Sequence, residues 1–282
     1  MAYFKVHDKK LDKDISLYYH TVGNKDDQPI IMIHGWLCNS KFWEEFLDIA
    51  DLGYFLIIPE LRGHGNSEYS KDTKIDVLAE DIHALFEELD ISRAIILGHS
   101  MGGLTAQAFY HKYPEKVVAL GLWNTGGQIP LGYGIGTLFY VIRLFFFIIG
   151  LLISYPITPL FRFVLSQGWK LAWAKRGKSK PYQKYVVDVK KMNKAAVIRA
   201  AFSLSSFKEI DRLKSIDVPT LLLHGAKDSF VTPIQLAEKM NTEIPNSRLV
   251  QIDETAHFSP NEDPSKVKEH LKVFLNEINS IK

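Results

Sequence analysis

The chain has 282 residues, 46% hydrophobic and 23% charged, with a formal net charge of +2. It is long enough to bury a full core as one large domain, or one domain carrying an insertion, and its composition is ordinary for a globular protein. The small net charge argues for no particular partner, and the single cysteine, Cys38, excludes an intrachain disulfide, so nothing points to an oxidising compartment.

The start of the chain has no apolar signal region, so a cytoplasmic location is expected. Residues 3–6 and 15–19 alternate apolar and polar and read as two antiparallel strands in an edge hairpin. After a polar turn at 24–28, Pro29 leads into Ile30-Ile31-Met32-Ile33, a short buried strand ending at His34-Gly35-Trp36. Residues 43–50 have helical spacing, and 54–58 form another apolar strand that runs into Pro59-Glu60-Leu61-Arg62-Gly63-His64-Gly65-Asn66-Ser67. Apolar residues at 75, 78, 82, 85, 86 and 89 make one helix face. The strand Ala94-Ile95-Ile96-Leu97 is followed by Gly98-His99-Ser100-Met101-Gly102 and a helix over 104–113, and 117–123 is the next strand.

From 127 to about 205 the alternation of strand and helix stops, and this stretch reads as one inserted helical unit. The rhythm resumes with a strand at 220–224. Thr232 and Pro233 suit a helix start, with threonine as the cap and proline in the first turn. A last strand at 248–252 precedes a C-terminal helix over 264–278. The pattern implies a mostly parallel, eight-stranded α/β sheet with helices on both faces. Residues 1–125 and 206–282 would form the core, and 126–205 a helical cap. Functional loops of such sheets lie at the carboxyl ends of the strands, where His34, Ser100 and Asp228 all fall.

Ser100 is the centre of the pattern. Glycines two before and two after it permit a strained strand-to-helix turn that holds the hydroxyl out. A serine hydroxyl needs a base to take its proton, and the base needs a group to orient it. His257, in the loop between the last strand and the last helix, suits the base role. Asp253 is nearer to it in sequence, but Asp228 follows a strand whose end should face the site and is preferred as the carboxylate. Asn124 holds another strand-end position, but an amide cannot stabilise an imidazolium as a carboxylate does. His7, His20, His83, His111 and His270 read as surface residues, and His34, His99 and His224 as loop-bonding residues at strand ends. The backbone N–H groups of Met101 and Trp36 are the candidate oxyanion donors. There is no His/Cys cluster at metal spacing and no Walker or G-x-G-x-x-G loop, so neither a metal nor an organic cofactor is expected.

His34-Gly35-Trp36, the Arg62–Ser67 turn, Gly98-His99-Ser100-Met101-Gly102, His224-Gly225-Ala226-Lys227-Asp228 and Ala256-His257-Phe258 together resemble the α/β-hydrolase superfamily, nearest to its capped serine esterases and lipases. The resemblance covers about 15–125 and 205–280. It implies the α/β-hydrolase fold, Ser100 as nucleophile, Asp228 as acid, His257 as base, and Trp36 and Met101 as oxyanion donors. The expected activity is hydrolysis of a lipophilic carboxylic ester. The same triad also serves C–C bond hydrolysis, thioester hydrolysis and acyl transfer, and a catalytically silent membrane-associated interaction protein is the reading from another class. Glu60 departs from the family pattern, in which relatives usually carry aspartate two before the arginine of this turn.

The insertion is unusual in composition. Residues 138–153 read LFYVIRLFFFIIGLLI, and residues 116–187 hold nine Lys or Arg and no Asp or Glu, so that segment is +9 and the remainder about −7. A simple membrane span would separate Ser100 from Asp228 and His257, so it is not expected. The run either packs as a lid core lining an apolar pocket, lies in a membrane interface, or turns back as a hairpin near Gly150. Peripheral membrane contact through residues 138–184 is the sharper expectation, with Trp169 and Trp173 among the cations from 162 to 184 as interface anchors. A nucleic-acid partner is not expected, because the basic face lacks a fold to carry it.

Overall fold

The computed structural model describes residues 2–127, 135–174, 193–229 and 231–281. Eight strands form one sheet: β1 (Ala2–Asp8), β2 (Lys13–Val22), β3 (Gln28–Ile33), β4 (Tyr54–Pro59), β5 (Ala94–His99), β6 (Val117–Trp123), β7 (Thr220–Gly225) and β8 (Ser247–Ile252). Their spatial order is β1-β2-β4-β3-β5-β6-β7-β8. β1 pairs antiparallel with β2, and β2 with β4; from β4 to β8 the pairings are parallel. This is the expected α/β-hydrolase sheet with its edge hairpin.

Alternation within each central strand feeds two cores. Ile31 and Ile33 of β3 face one side with Ile57, Ile96 and Leu222, under α1 (Ile75–Glu88) and α2 (Met101–Lys112). Ile30 and Met32 face the other with Leu56, Ile58, Ile95 and Leu223, under the segment Ser40–Leu52 and the C-terminal helix. Ser40–Leu52 is helical as expected, but in 3₁₀ rather than α geometry. Four of its five buried residues, Ser40, Trp43, Phe46 and Ile49, recur every third position, which stacks them on one side of a helix with three residues per turn; the fifth is Phe42. Gly53, at φ 80, closes it in the left-handed conformation.

Between β6 and β7 come α3 (Ile135–Ser154), α4 (Thr158–Leu171) and α5 (Lys194–Ser206). The two ends of this excursion meet: Glu209 N–H donates to Gly127 O at 2.8 Å. The chain does not turn back at Gly150, which lies inside α3; a Cβ there would stand 3.4 Å from Val164 Cγ1 of α4. The break comes at residues 155–157, where Pro156 has no N–H to continue the helix. Leu151, Phe161 and Leu165 are buried against the body. Trp173 is buried too, and not at an interface: its ring stacks on Phe258 at 4.7 Å. Lys175, Arg176, Lys178, Lys180 and Lys184, and the side chains of Arg143 and Trp169, lie outside the described residues. Among the described residues no helix is long and apolar enough to cross a membrane.

The chain ends with α6 (Ile234–Glu243), β8, a single helical turn at Ser259–Glu262, and α7 (Pro264–Ile281). Thr232 does not cap α6: the cap position is Pro233, and the threonine hydroxyl is used elsewhere.

Candidate active site

β5 delivers Ser100 to the sheet rim in a conformation few non-glycine residues adopt, φ 52 and ψ −116. The flanking glycines make the turn possible by close approach. A Cβ at Gly98 would lie 2.3 Å from Gly102 O, and one at Gly102 would lie 2.2 Å from Ile33 O at the end of β3. The turn is held by the backbone: Ser100 N–H donates to Trp123 O at 2.9 Å, and Ser100 O accepts from Thr125 Oγ1 at 2.8 Å.

Two loops bring their side chains to the same point. His257 Nε2 stands 2.9 Å from Ser100 Oγ, and His257 Nδ1 stands 2.7 Å from Asp228 Oδ2. With the carboxylate accepting from Nδ1–H, Nε2 is left to accept from the serine hydroxyl. Asp228 and His257 are both buried, whereas Asp253 is exposed. Burial pushes the Asp228 carboxyl up, but the charge and hydrogen bond of His257, with His224 and the Thr232 hydroxyl, outweigh it and hold it at about 2. Asp228 Oδ1 also accepts from Val231 N–H at 3.1 Å and Thr232 N–H at 3.3 Å, and Oδ2 from Thr232 Oγ1 at 2.6 Å.

The backbone N–H of Met101 is the first of α2, and the first four N–H groups of a helix have no partner within it. The His34–Cys38 turn packs directly on the serine: a Cβ at Gly35 would stand 3.1 Å from Ser100 Cβ. That turn is closed by Cys38 N–H donating to Gly35 O at 3.2 Å, a bond that does not use Trp36 N–H.

Several residues that sequence reasoning passed over complete the arrangement. Asn124, set aside as an acid, is buried at φ 44 just after β6. Its Nδ2 donates to Ala256 O at 3.1 Å and reaches Asp228 Oδ2 at 3.4 Å, and its Oδ1 accepts from Ser259 Oγ at 2.5 Å. Its place at a strand end was the signal available. Thr232, four residues after Asp228, had none beyond its proximity. His99 donates from Nε2 to His257 O at 2.7 Å, and burial, aided by His257, holds its pKa well below the ordinary value, so it is neutral. Glu262 ties the histidine loop to the chain after α4, its carboxylate accepting from Ala256 N–H at 2.9 Å and Ala174 N–H at 2.8 Å. His34 and His224 bond to loop backbone as expected, His34 to Gly35 O at 2.8 Å and His224 to Thr232 O at 2.9 Å. His111 departs from expectation: its ring is buried, 3.6 Å from Glu209. Glu60 accepts from Ser40 Oγ at 2.6 Å and from Asn66 N–H, fastening the Arg62–Ser67 turn to the 3₁₀ segment.

A family model for the alpha/beta hydrolase fold matches residues 28–146 and 160–264. The chain belongs to the α/β-hydrolase family. This α/β hydrolase is 28% identical over 263 residues to Protein ABHD8 of Bos taurus, covering 90% of this chain and 57% of that one. The chain therefore spans little more than half the length of that relative. It is 25% identical to AB hydrolase superfamily protein YisY of Bacillus subtilis (strain 168), over 96% of this chain and 99% of that one. A thermophilic esterase from Thermogutta terrifontis has the same fold, with a TM-score of 0.83, 21% identity and 99% of each chain covered. Among the described residues no group of three or more His, Cys, Asp or Glu could hold a metal ion.

Proposed function

We propose that this hydrolase cleaves a lipophilic carboxylic ester through an acyl-enzyme on Ser100. The reading rests on one observation above all: Ser100 Oγ, His257 and Asp228 form a continuous hydrogen-bonded line, with contacts of 2.9 and 2.7 Å. Ser100 Oγ forms a bond to the ester carbonyl carbon while His257 Nε2 takes its proton. The carbonyl oxygen becomes an oxyanion that receives the N–H groups of Met101 and Trp36. The bond to the leaving alcohol then breaks as His257 returns the proton to its oxygen. A water, deprotonated by the same nitrogen, attacks the acyl carbon and releases the acid and Ser100. Asp228, held by Thr232 and the 231–232 backbone, keeps the imidazole in the required tautomer throughout.

The helical unit 126–205 is the cap in this reading, and the acyl chain lies beneath it. The substrate pool is at a membrane surface, a reading supported by the exposed apolar side chains of α3 and α4. The test is Ser100→Ala with p-nitrophenyl butyrate. Turnover should fall by about 10⁴-fold or more, since loss of such a nucleophile typically removes that much; unchanged turnover would reject the assignment. A fluorophosphonate should label Ser100 in the native chain. Labelling without any ester turnover would keep the nucleophile and move the substrate to a thioester or a C–C bond. No labelling and no turnover would leave a silent interaction protein.

A further inference from the structure

α3 and α4 are two-faced, and the face turned from the body is the more unusual one. Inward, Leu151 of α3 and Phe161 and Leu165 of α4 are buried, with Trp173 just beyond. Outward, Ile142, Phe145, Phe146 and Ile153 fall on one side of α3, at helical spacing, with Phe146 66% and Ile153 72% exposed. Leu160, Phe163 and Leu171 do the same on α4, Phe163 being 60% exposed. The turn between them adds Tyr155 and Ile157, both exposed. Side chains of this size scattered singly need no explanation, but a contiguous patch on two neighbouring helices marks an interaction surface.

Charge indicates the occupant. Lys170 sits within the apolar stripe of α4 and Arg162 on its flank, both exposed. Lys194 of α5 donates to Tyr155 O at 2.8 Å and Thr158 Oγ1 at 3.0 Å, which fixes a cation at the turn. No Asp or Glu occurs anywhere from 116 to 187. Apolar side chains projecting among cations, without an acid, complement a bilayer whose surface carries anionic headgroups. A second copy of this face would instead bring like charges together.

We infer that the outer face of the α3–α4 hairpin docks on an anionic lipid bilayer, inserting Phe145, Phe146, Ile153, Ile157 and Phe163 while the cations meet the headgroups. The hairpin is also joined to the active site. Just past α4, Ala172 O accepts from His257 N–H at 3.0 Å, and Trp173 stacks on Phe258. A docked hairpin therefore holds the serine site beside the bilayer, and the ester it takes is one dissolved in that bilayer. The docking does not depend on the hydrolytic reading; only the choice of substrate does.

The experiment is vesicle flotation of the full chain, with phosphatidylcholine vesicles containing about one-third phosphatidylserine and with phosphatidylcholine alone. The chain should float with the anionic vesicles, at least about ten-fold less with the neutral ones, and less again in 1 M salt. The double variant Phe146→Glu with Phe163→Glu should lose about ten-fold or more of the bound fraction. Its turnover of soluble p-nitrophenyl butyrate should remain that of the parent, which shows that it is folded. A parent chain that stays unbound with anionic vesicles overturns the proposal while leaving the esterase reading intact, as does a double variant that floats equally well. A dimer in solution abolished by the same two substitutions, without flotation of the parent, would overturn it in favour of a second copy. Flotation with no ester turnover would keep the docking and sink the hydrolytic reading alone.

Discussion

Replacing Asn124 by alanine tests whether the amide behind the site holds the histidine loop in place. The substitution removes the donor to Ala256 O at 3.1 Å and the acceptor of the Ser259 hydroxyl at 2.5 Å, both in buried surroundings. Each buried polar group left unpaired costs about 1–3 kcal/mol. Alanine also accepts the left-handed backbone at φ 44 less readily than asparagine, by about 1 kcal/mol. The sum, about 3–7 kcal/mol, is a large part of the ~5–15 kcal/mol that holds a typical domain together. Urea unfolding followed by tryptophan fluorescence measures it directly. Residues 256 and 259 flank His257, so the variant should also lose about ten-fold or more in kcat at a temperature where it is still folded, since small misplacements of a reacting group are expensive. A variant destabilised by less than about 1 kcal/mol, with kcat unchanged, would refute the reasoning.

Asp228 gives stability a pH dependence. Its folded value, about 2, lies below the ordinary 3.8, so its ionised form contributes about 2 kcal/mol to stability above pH ~4, lost as pH falls through about 2. Unfolding free energies measured between pH 5 and pH 2 should fall more steeply for the parent than for Asp228→Asn, and parallel curves would count against the pairing. Thr232→Val keeps the shape and removes the hydroxyl that donates to Asp228 at 2.6 Å, a bond to a charged group worth about 1.5–3 kcal/mol. It should lower kcat for a soluble ester about ten-fold with little change in KM; an unchanged kcat would show that the carboxylate needs no such support.

The sheet was legible because its central strands are short unbroken apolar runs. A run such as Ile30 to Ile33 records burial on two faces, and the intervening helices carry their own spacing. The convergence of 100, 228 and 257 followed from strand order, since each lies just past a parallel strand. What stayed hidden depends on contacts between segments far apart in sequence. Asn124 bonds to residues 104 to 135 positions away, and nothing in its neighbours announces them. Thr232 looked like a cap because threonine before proline commonly is one, but a buried carboxylate four residues upstream takes the hydroxyl instead. A turn near Gly150 was one of three readings of the apolar run, yet that glycine lies inside α3 against Val164 of α4, and the helix ends before Pro156. Trp173 looked interfacial from its basic neighbours, while its partner, Phe258, lies far along the chain.

The single hydrogen bond between Gly127 and Glu209 has a bearing on how such a protein can diversify. Because the excursion leaves and rejoins adjacent parallel strands at one neck, a different length of chain could be spliced between those two residues without altering the register of β6 on β7. The hydrogen-bonded line from Ser100 through His257 to Asp228 would be inherited whole, and only the graft would vary.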